Sequence, residues 1–341
     1  MLAIESSCDE TACAVVDDLQ VRSSVVRTQI EVHGRFGGVV PELASRHHLG
    51  AIAPVIEVAL AEAGITDLHD LDALAVTEGP GLVGALLVGV QAARGLALGT
   101  NLPLFGVHHM EGHLFSACLG DAQRESVPFQ PHVALLVSGG HTELVVVEGL
   151  GRYRVLGATR DDAAGEAFDK ASKLLGLGYP GGPVIDRLAQ DGNPKAFAFP
   201  RGMAEHDNFE FSFSGLKTAL LVRLEKHGQP QSRAELCDLC ASYRAAIVDV
   251  LVRKARRAVA KSKLARLHVV GGVAANRGLR AAAEQAGQDD GFAVVVPPIR
   301  YCGDNAAMIG AAAAARVAAG LSPSVELHTS LAIDDLRMRV P

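Results

Sequence analysis

Two strand–turn–strand patterns lie far apart in this chain, and they constrain its fold more than any other feature. Residues 2–5 and 12–16 are apolar runs on either side of a polar turn, and residues 133–137 and 143–147 repeat that arrangement. A repeated supersecondary unit indicates a duplicated architecture. The pattern therefore predicts an α/β protein with two related lobes, and it predicts a ligand cleft between them.

The composition agrees with this prediction. The chain has 341 residues, of which 49% are hydrophobic and 21% are charged. That length is enough for a large core and favours two lobes over one. The balance of residue types is typical of a soluble α/β protein.

Charge and aromatic content limit how the chain could bind nucleic acid. The formal net charge is −6, aromatic residues make up 4% and tryptophan is absent. Neither a basic footprint over the whole chain nor a base-stacking platform is therefore expected. A nucleic-acid partner would need a local patch, such as the basic stretch 253–266, or help from other subunits.

Several features indicate a cytoplasmic protein. The six cysteines show no disulfide framework, which fits a reducing compartment. Glu5, Asp9 and Glu10 interrupt the first apolar run too early for a signal peptide. The alanine-rich run 306–319 is too short to span a membrane. We expect no membrane partner.

A His-x-x-x-His pattern at residues 109–113 is the first candidate site. If these residues are helical, His109 and His113 lie one turn apart on one face, where both imidazoles can bind one divalent metal ion. Glu111 would point to the far side of the helix, which argues against the chemistry of the zinc-protease signature. A pair of solvated or hydrogen-bonded histidines is the alternative interpretation.

Asp304 is the candidate for a third metal ligand. It lies at a predicted strand-to-helix turn, where aspartate is a common helix N-cap. A carboxylate at this point could also complete a two-histidine, one-carboxylate face. Both interpretations stay open.

Glycine-rich turns supply the second set of candidate residues. The turns at 138–142 and 271–277 each follow an apolar strand, and their glycines let the backbone approach a ligand closely. Asn276 can add a directional hydrogen bond. Asp169 and Asp186 suit the hydroxyl groups of a ribose, with a solvated helix face as the alternative.

Four other patterns also have plain structural interpretations. The turn 6–11 can present N–H groups and a carboxylate to a phosphate or a metal, but an ordinary hairpin fits it equally well. His47 and His48, on a helix predicted from Pro41 to Gly64, indicate surface or packing positions. The pattern Cys237-x-x-Cys240 favours packing cysteines over half a zinc site. The phenylalanines of 209–213 favour core packing.

Ten sequence blocks, taken together and in order, resemble the TsaD family. The blocks are LAIESSCDET at 2–11, VPELASRHH at 40–48, GPGLVGALLVG at 79–89, HHMEGH at 108–113, LLVSGGHTEL at 135–144, GEAFDK at 165–170, YPGGP at 179–183, FSFSGLKT at 211–218, GGVAANRGLR at 271–280 and CGDNAAMI at 302–309. Members are tRNA N6-adenosine threonylcarbamoyltransferases, once named O-sialoglycoprotein endopeptidases. The resemblance extends from the first residues to at least Gly310.

The resemblance implies a fold. Members share the two duplicated lobes of actin, hexokinase and the sugar kinases, an ATPase-like α/β fold with a central ligand cleft. On that basis, residues 1–128 and 305–341 form the N-terminal lobe, and residues 129–304 form the C-terminal lobe.

The resemblance also implies ligands for the candidate residues. One divalent metal ion per subunit, usually Fe²⁺ with Zn²⁺ as the other option, would bind His109, His113 and Asp304. The residues implied in substrate binding are Leu136, Val137, Ser138, Gly139, Gly140, Asp169, Gly182, Asp186 and Asn276.

The implied reaction is the transfer of a threonylcarbamoyl group. The donor is threonylcarbamoyl-AMP, and the acceptor is the exocyclic amine of the adenosine 3′ to the anticodon in tRNAs that read codons beginning with A. TsaB-like and TsaE-like proteins are the implied partners. We hypothesise that Asp9 is the general base, because the first hairpin turn should face the cleft.

Three other functions compete with this one. An ATP-binding or ATP-hydrolysing protein of the same fold would leave His109 and His113 unexplained. A glycoprotease would lack its glutamate spacing and its secretion signal. A binding scaffold without catalysis would tolerate the loss of Asp304.

Overall fold

The computed structural model describes residues 1–204 and 207–339, which form two compact units. The first unit comprises Met1–Gln130, Gly149–Tyr153 and Gly303–Pro341, and the second comprises Pro131–Glu148 and Arg154–Cys302. Each unit contains one five-stranded sheet.

Ten strands and ten α-helices make up the described part of the chain. The strands are β1 (Leu2–Glu5), β2 (Glu10–Asp17), β3 (Gln20–Thr28), β4 (Leu74–Gly79), β5 (Leu104–His108), β6 (His132–Val137), β7 (Thr142–Gly149), β8 (Arg152–Ala158), β9 (Arg266–Val270) and β10 (Ala293–Val295). The helices are α1 (Ile30–Gly34), α2 (Pro41–Glu62), α3 (Val83–Thr100), α4 (His109–Ser116), α5 (Ala164–Leu174), α6 (Gly181–Leu188), α7 (Ser214–His227), α8 (Arg233–Ser262), α9 (Arg277–Asp290) and α10 (Ala306–Ala318).

The two sheets have the same strand order. The first reads β3-β2-β1-β4-β5, and the second reads β8-β7-β6-β9-β10. β1 pairs antiparallel with β2 and parallel with β4, and β6 pairs antiparallel with β7 and parallel with β9. The two hairpins predicted from the sequence are therefore β1–β2 and β6–β7, and the predicted duplication is confirmed.

Alternating side chains give the first sheet two buried faces. Four side chains from β1 and β2 pack with residues of α2 and α3: Leu2, Ile4, Cys13 and Val15. Ala3 and Val16 lie on the other face, where they approach Gly310 of α10. Because successive side chains of a strand point to opposite faces, α2 and α3 cover one side of the sheet and α10 covers the other.

Helix α8 is at the centre of the second unit. Ser232 caps its first turn by accepting a hydrogen bond from the Glu235 N–H. Cys237 and Cys240 on α8 are buried free cysteines. Phe209, Phe211 and Phe213 are also buried in this core. The packing interpretations of both patterns are confirmed.

Three cations of the basic stretch 253–266 form hydrogen bonds or ion pairs within the second unit. Lys254 is fully buried and donates to the Asn208 carbonyl at 3.1 Å. Arg256 pairs with Asp290 and Arg257 with Asp207. Because these three cations already have partners, the stretch is a weaker candidate for phosphate contacts than the sequence indicates.

One helix in the described part of the chain, α3, is long and apolar enough to cross a membrane. The same length and composition occur in core helices of soluble proteins. The alanine-rich α10 has only 13 residues.

Replacing Gly310 by alanine tests how tightly α10 packs on the first sheet. A Cβ at this position would lie 2.6 Å from Val16 Cγ2 and 3.2 Å from Ala3 Cβ. We expect Gly310→Ala to lower the free energy of unfolding by about 1–3 kcal/mol, the usual effect of overpacking a core. Urea unfolding followed by circular dichroism measures the change.

Gly95→Ala in α3 is the matched control, because a Cβ there would meet nothing within 4 Å. It should raise the free energy of unfolding by about 0.5–1 kcal/mol through helix propensity. Equal changes in the two variants would contradict the close packing of α10.

Candidate functional site

Strand β5 leads directly into α4, as the sequence predicts, and every residue of α4 is buried. The His108 side chain caps the helix by accepting a hydrogen bond from the Met110 N–H at 3.1 Å. The imidazoles of His109 and His113 lie on one face, with ring centroids 4.8 Å apart. The helix therefore presents two buried imidazoles at one point.

Asp304 lies beside the two histidines, just before α10. The N-cap of α10 is Asn305, whose side-chain oxygen accepts from the Met308 N–H at 3.0 Å. The alternative interpretation of Asp304 as the N-cap is therefore wrong. Its carboxylate faces the histidines instead.

Gly112 allows α4 to lie directly against α10. A Cβ at Gly112 would lie 2.7 Å from Ile309 Cδ1 and 3.1 Å from Met308 Cγ. A larger residue would push the two helices apart. The glycine between the two histidines therefore helps to bring Asp304 within reach of them.

The three side chains form a group that could hold a metal ion. Asp304 Oδ1 lies 3.5 Å from His109 Nε2 and 3.2 Å from His113 Nε2. One possible ligand atom from each of the three residues lies within 4.8 Å of the others. Two atoms bound to one ion at about 2.1 Å lie about 3.0–3.4 Å apart, so the observed spacing suits a shared cation.

Hydrogen bonding and charge also fit a metal ion. Both ring nitrogens of His113 are buried, and within the described residues neither makes a well-directed hydrogen bond, although Asp304 Oδ1 lies 3.2 Å from Nε2. Such atoms are costly to bury unless something binds them. Burial alone would raise the pKa of Asp304, but the neighbouring histidines hold it well below its usual value. The carboxylate is thus ionised and ready to bind a cation.

Glu111 faces away from this group. Its Oε1 accepts from the Tyr153 hydroxyl at 2.7 Å, and its Oε2 accepts from Arg316 Nε at 2.9 Å. Burial and the Glu111 carboxylate raise the pKa of Tyr153, which keeps its hydroxyl a donor. The prediction that Glu111 points away from the histidine pair is confirmed, and the geometry of a zinc-protease base is absent at this residue.

The turn between β1 and β2 lies next to the histidines. Ser7 Oγ lies 3.2 Å from His109 Nδ1. Asp9, the candidate base, is 9% exposed, and its carbonyl accepts from the Gln29 N–H at 3.1 Å. His48 forms hydrogen bonds to this turn.

His48 is more than a packing residue. It is fully buried on α2, its Nε2–H donates to the Cys8 carbonyl at 3.0 Å, and its Nδ1 accepts from Thr11 Oγ1 at 2.7 Å. Burial lowers the pKa of His48, and the neutral ring is the form that can make both bonds. His48 therefore clamps both ends of the turn that carries Asp9. Its sequence position alone does not indicate this role.

In the second unit, the turn after β6 offers two backbone donors. The Ser138 N–H is already bound to the His141 carbonyl at 2.8 Å, and Ser138 Oγ accepts from the His141 N–H. Within the described residues, the N–H groups of Gly139 and Gly140 have no protein acceptor. Leu136 and Val137 are fully buried in β6. The free donors of this turn are therefore those of Gly139 and Gly140.

Helices α5 and α6 meet beside this turn. A Cβ at Gly165, at the start of α5, would lie 2.5 Å from the Ser138 carbonyl oxygen. Asp169 on α5 accepts from the Gly181 N–H at 2.6 Å. Gly182 follows, and a Cβ there would meet nothing within 4 Å. The predicted substrate residues of α5 and α6 thus lie together, although Asp169 is already hydrogen-bonded.

Asp186 and Asn276 complete a closed ring of contacts. Asp186 Oδ2 accepts from the Arg277 N–H at 3.2 Å, and its Oδ1 accepts from Arg244 at 2.9 Å. Asn276 caps α9 by accepting from the Leu279 N–H, which leaves its amide NH₂ as the donor for a ligand. Gly271, at φ +92°, lies against the Val137 carbonyl and returns the ring to β6.

This ring forms because β6 and β9 run parallel, so that the turns at their carboxyl ends share one edge of the sheet. The sequence predicted the glycine-rich turn that contains Gly271, but it did not indicate two other members, Arg244 and Gly165. Both glycines lie in family blocks, which is a usable signal. Arg244 lies in the middle of a long helix and gives none.

Breaking the Glu111 contacts should destabilise the first unit. Glu111→Gln leaves the Arg316 cation, whose side chain is 15% exposed, without its carboxylate. We expect the free energy of unfolding to fall by about 3–5 kcal/mol. Tyr153→Phe removes one hydrogen bond to a charged group and should cost about 1.5–3 kcal/mol. Urea unfolding measures both.

Asp17→Asn is the control for these variants. Asp17 pairs with Arg22 at the surface, where the two side chains are 71% and 63% exposed. An exposed pair contributes about 0–1 kcal/mol. A loss in Glu111→Gln no larger than that of the control would contradict the role of the buried pair.

Metal affinity should depend on pH through His109. Burial alone would lower the pKa of His109, but the carboxylates of Asp304 and Glu5 hold it well above its usual value. A metal ion binds the neutral imidazole and must displace this proton. Affinity for Zn²⁺ should therefore rise on the order of tenfold per pH unit at pH values below this raised pKa, and it should level off above it.

Competition with a coloured chelator measures the affinity at each pH. An affinity that does not change over this range would contradict a proton held on His109 by the two carboxylates.

Comparison with known proteins agrees with the sequence blocks. The family model described as "TsaD: tRNA N6-adenosine threonylcarbamoyltransferase" matches residues 20–311. A protein of that name from Anaeromyxobacter dehalogenans (strain 2CP-1 / ATCC BAA-258) is 58% identical over 314 residues, which cover 92% of each chain. Another, from Syntrophotalea carbinolica, is 53% identical over 329 residues, 96% of this chain and 94% of that one.

Solved structures show the same fold at low sequence identity. HypF of T. kodakarensis matches with a TM-score of 0.61 and 11% identity, covering 98% of this chain and 49% of that chain. Component A of the (R)-2-hydroxyglutaryl-CoA dehydratase of Acidaminococcus fermentans matches with a TM-score of 0.52 and 15% identity, covering 94% and 98%. These neighbours establish the actin-like α/β fold, and the family match goes further: the chain belongs to the TsaD family of tRNA N6-adenosine threonylcarbamoyltransferases.

Proposed function

We propose that this chain transfers a threonylcarbamoyl group to the exocyclic amine of the adenosine 3′ to the anticodon, in tRNAs that read codons beginning with A. Relatives that are 53–58% identical to this chain over almost their whole length carry the name of this transferase. The observation that carries the proposal is the buried group of His109, His113 and Asp304. A TsaD-family chain that also holds a two-histidine, one-carboxylate group has the parts for metal-assisted acyl transfer.

We propose one metal ion per subunit at this group, with Fe²⁺ as its identity and Zn²⁺ as the other option. Two imidazoles and one carboxylate leave other coordination positions open, and this ligand set is typical of Fe²⁺ sites. When bound, the ion would supply Lewis acidity to polarise and orient the acyl donor. The pKa of His109 adds a requirement, because its proton must leave before the ion binds.

The proposed donor is threonylcarbamoyl-AMP, a mixed anhydride with AMP as a good leaving group. The N–H groups of Gly139 and Gly140 can donate to its phosphate oxygens or to a developing oxyanion. The amide NH₂ of Asn276 adds a directional donor, and Arg244 holds Asp186 in the same ring. These groups bind and orient the donor through the second unit.

The amine needs a base, because its lone pair is delocalised into the adenine ring. In the transfer, the N6–C bond forms, the bond from the carbonyl carbon to the phosphate oxygen breaks, and one proton leaves the amine. We assign that proton to the Asp9 carboxylate. His48 supports this assignment, because it clamps both ends of the turn that carries Asp9.

Partner proteins are part of the proposal. The net charge of −6 and the ion pairs of the basic stretch 253–266 leave little positive surface for tRNA. Helices α2 and α3 expose several large apolar side chains: Leu49, Val58, Val83, Leu87 and Leu98. Of these, Val83, Leu87 and Leu98 share one face of α3 by helical spacing, and exposed apolar side chains on one face suit a protein partner. We propose a TsaB-like subunit and a TsaE-like ATPase as the partners, in the cytoplasm.

ATP binding or hydrolysis is the competing function. The actin-like fold is compatible with it, but a fold by itself does not determine an activity. ATP turnover would also leave the buried group of His109, His113 and Asp304 without a role. The transferase accounts for both the fold and this group.

Transfer of labelled threonylcarbamoyl from its adenylate to unmodified tRNA tests the proposal, with the two partner proteins present or omitted. We expect label in tRNA with the wild type and at least a 100-fold loss, about 2.7 kcal/mol of transition-state stabilisation, for His109→Ala. Asp9→Asn should lose turnover while it binds metal and donor normally.

His69→Ala is the control, because this exposed histidine lies on a short 3₁₀ turn away from the buried group. It should transfer label like the wild type. ATP hydrolysis without label in tRNA would replace the transferase by the ATPase function. Full transfer by His109→Ala would keep the reaction and remove the histidines from it.

A further inference from the structure

Glu5 is a fully buried carboxylate at the end of β1. Its Oε1 accepts from the Ser7 N–H. Its Oε2 accepts from Thr77 Oγ1 at 2.5 Å and from His109 Nδ1 at 3.0 Å. A carboxylate in this position receives three donors from three different parts of the first unit.

The three donors explain how this carboxylate can be fully buried. An ionised carboxylate is costly to bury unless donors surround it. The Ser7 N–H, Thr77 Oγ1 and His109 Nδ1 surround this carboxylate and offset that cost. Glu5 therefore acts only as a hydrogen-bond acceptor. The His109 nitrogen that faces it must carry a proton.

This contact fixes which way the His109 ring faces. With Nδ1 directed at Glu5, the other ring nitrogen, Nε2, points towards Asp304 Oδ1, 3.5 Å away. A hydrogen bond at one ring nitrogen sets the tautomer and leaves the lone pair on the other. In the described residues, no group does the same for His113, whose ring nitrogens make no well-directed hydrogen bond.

We propose that Glu5 is a positioning residue that holds His109 with its proton on Nδ1, so that the lone pair of Nε2 is presented to the cation site. The inference rests on the metal role of His109 in the proposed function. Glu5 lies outside the proposed set of metal ligands, and we expect it to determine how tightly that set binds a metal ion.

Ser7 is the rival for this role. Its Oγ lies 3.2 Å from the same Nδ1, and one N–H cannot be well aligned with two acceptors. The carboxylate is nearer, and a charged acceptor forms a hydrogen bond about twice as strong as a neutral one. Glu5 should therefore dominate, which makes Ser7→Ala a matched control.

Glu5→Gln is the sharpest variant, because an amide accepts on one side only. If its oxygen stays with the Ser7 N–H, its NH₂ faces His109 and favours a proton on Nε2, which removes the metal-binding lone pair. If the amide turns round, the Ser7 N–H loses its acceptor. The second arrangement buries the Ser7 N–H against the amide NH₂, which is costly. We therefore expect the first arrangement, in which the shape of the site is kept and the proton of His109 moves to Nε2.

The experiment uses the isolated full-length chain with Zn²⁺ as the probe. Chelator competition gives the Zn²⁺ affinity, and ¹⁵N-edited NMR of the histidine rings gives the protonated nitrogen of His109. We expect Glu5→Gln to bind Zn²⁺ about 10–100-fold more weakly and Ser7→Ala to change the affinity less than about threefold. The wild type with Zn²⁺ should carry its His109 proton on Nδ1.

Two results would overturn the proposal. One is a folded Glu5→Gln with wild-type Zn²⁺ affinity; the other is a loss confined to Ser7→Ala. If Glu5→Gln fails to fold, the wild-type spectrum still decides, since a proton on Nε2 of His109 excludes the proposed role. His109→Ala separates this test from the proposed function: unchanged Zn²⁺ binding in that variant would reject the metal site itself.

Discussion

Two buried carboxylates, Glu5 on β1 and Glu111 on α4 itself, fix helix α4 within the first unit, and the candidate metal centre depends on them. Glu5 accepts from the His109 ring, and Glu111 accepts from Arg316 and Tyr153. Each carboxylate is surrounded by donors, which offsets the cost of burying its charge. Because these contacts hold α4 in place, they also help to set where the rings of His109 and His113 lie.

Close packing brings the third side chain to the same point. Gly112 lets α4 lie against α10, and Asn305 takes the capping role at the start of α10. Asp304 is therefore free of the capping role and faces the histidines. The first unit thus assembles this candidate group from one helix, α4, and from the turn just before α10, which is distant in the chain.

The candidate site of the second unit is different, because it presents backbone donors. Parallel pairing of β6 and β9 places two glycine turns at one edge of the sheet, and Asp169 and Asp186 tie α5, α6 and α9 together beside it. The same fold occurs in HypF at 11% identity, so the fold alone does not determine the activity. The buried group of His109, His113 and Asp304 and the family match are what distinguish this chain.

Local sequence patterns determined the secondary structure and the candidate ligands. The spacing of His109 and His113, the glycine turns and the repeated hairpins all depend on neighbours in the chain. So does the place of Asp304 at a strand-to-helix turn. Only the tertiary structure decided what those residues touch. It showed that Asn305 rather than Asp304 caps α10, that Ser138 has no free N–H, and that His48, Arg244 and Glu5 brace the sites. Such contacts join residues far apart in sequence, because each forms only when separate strands and helices pack together, and no local pattern encodes that packing.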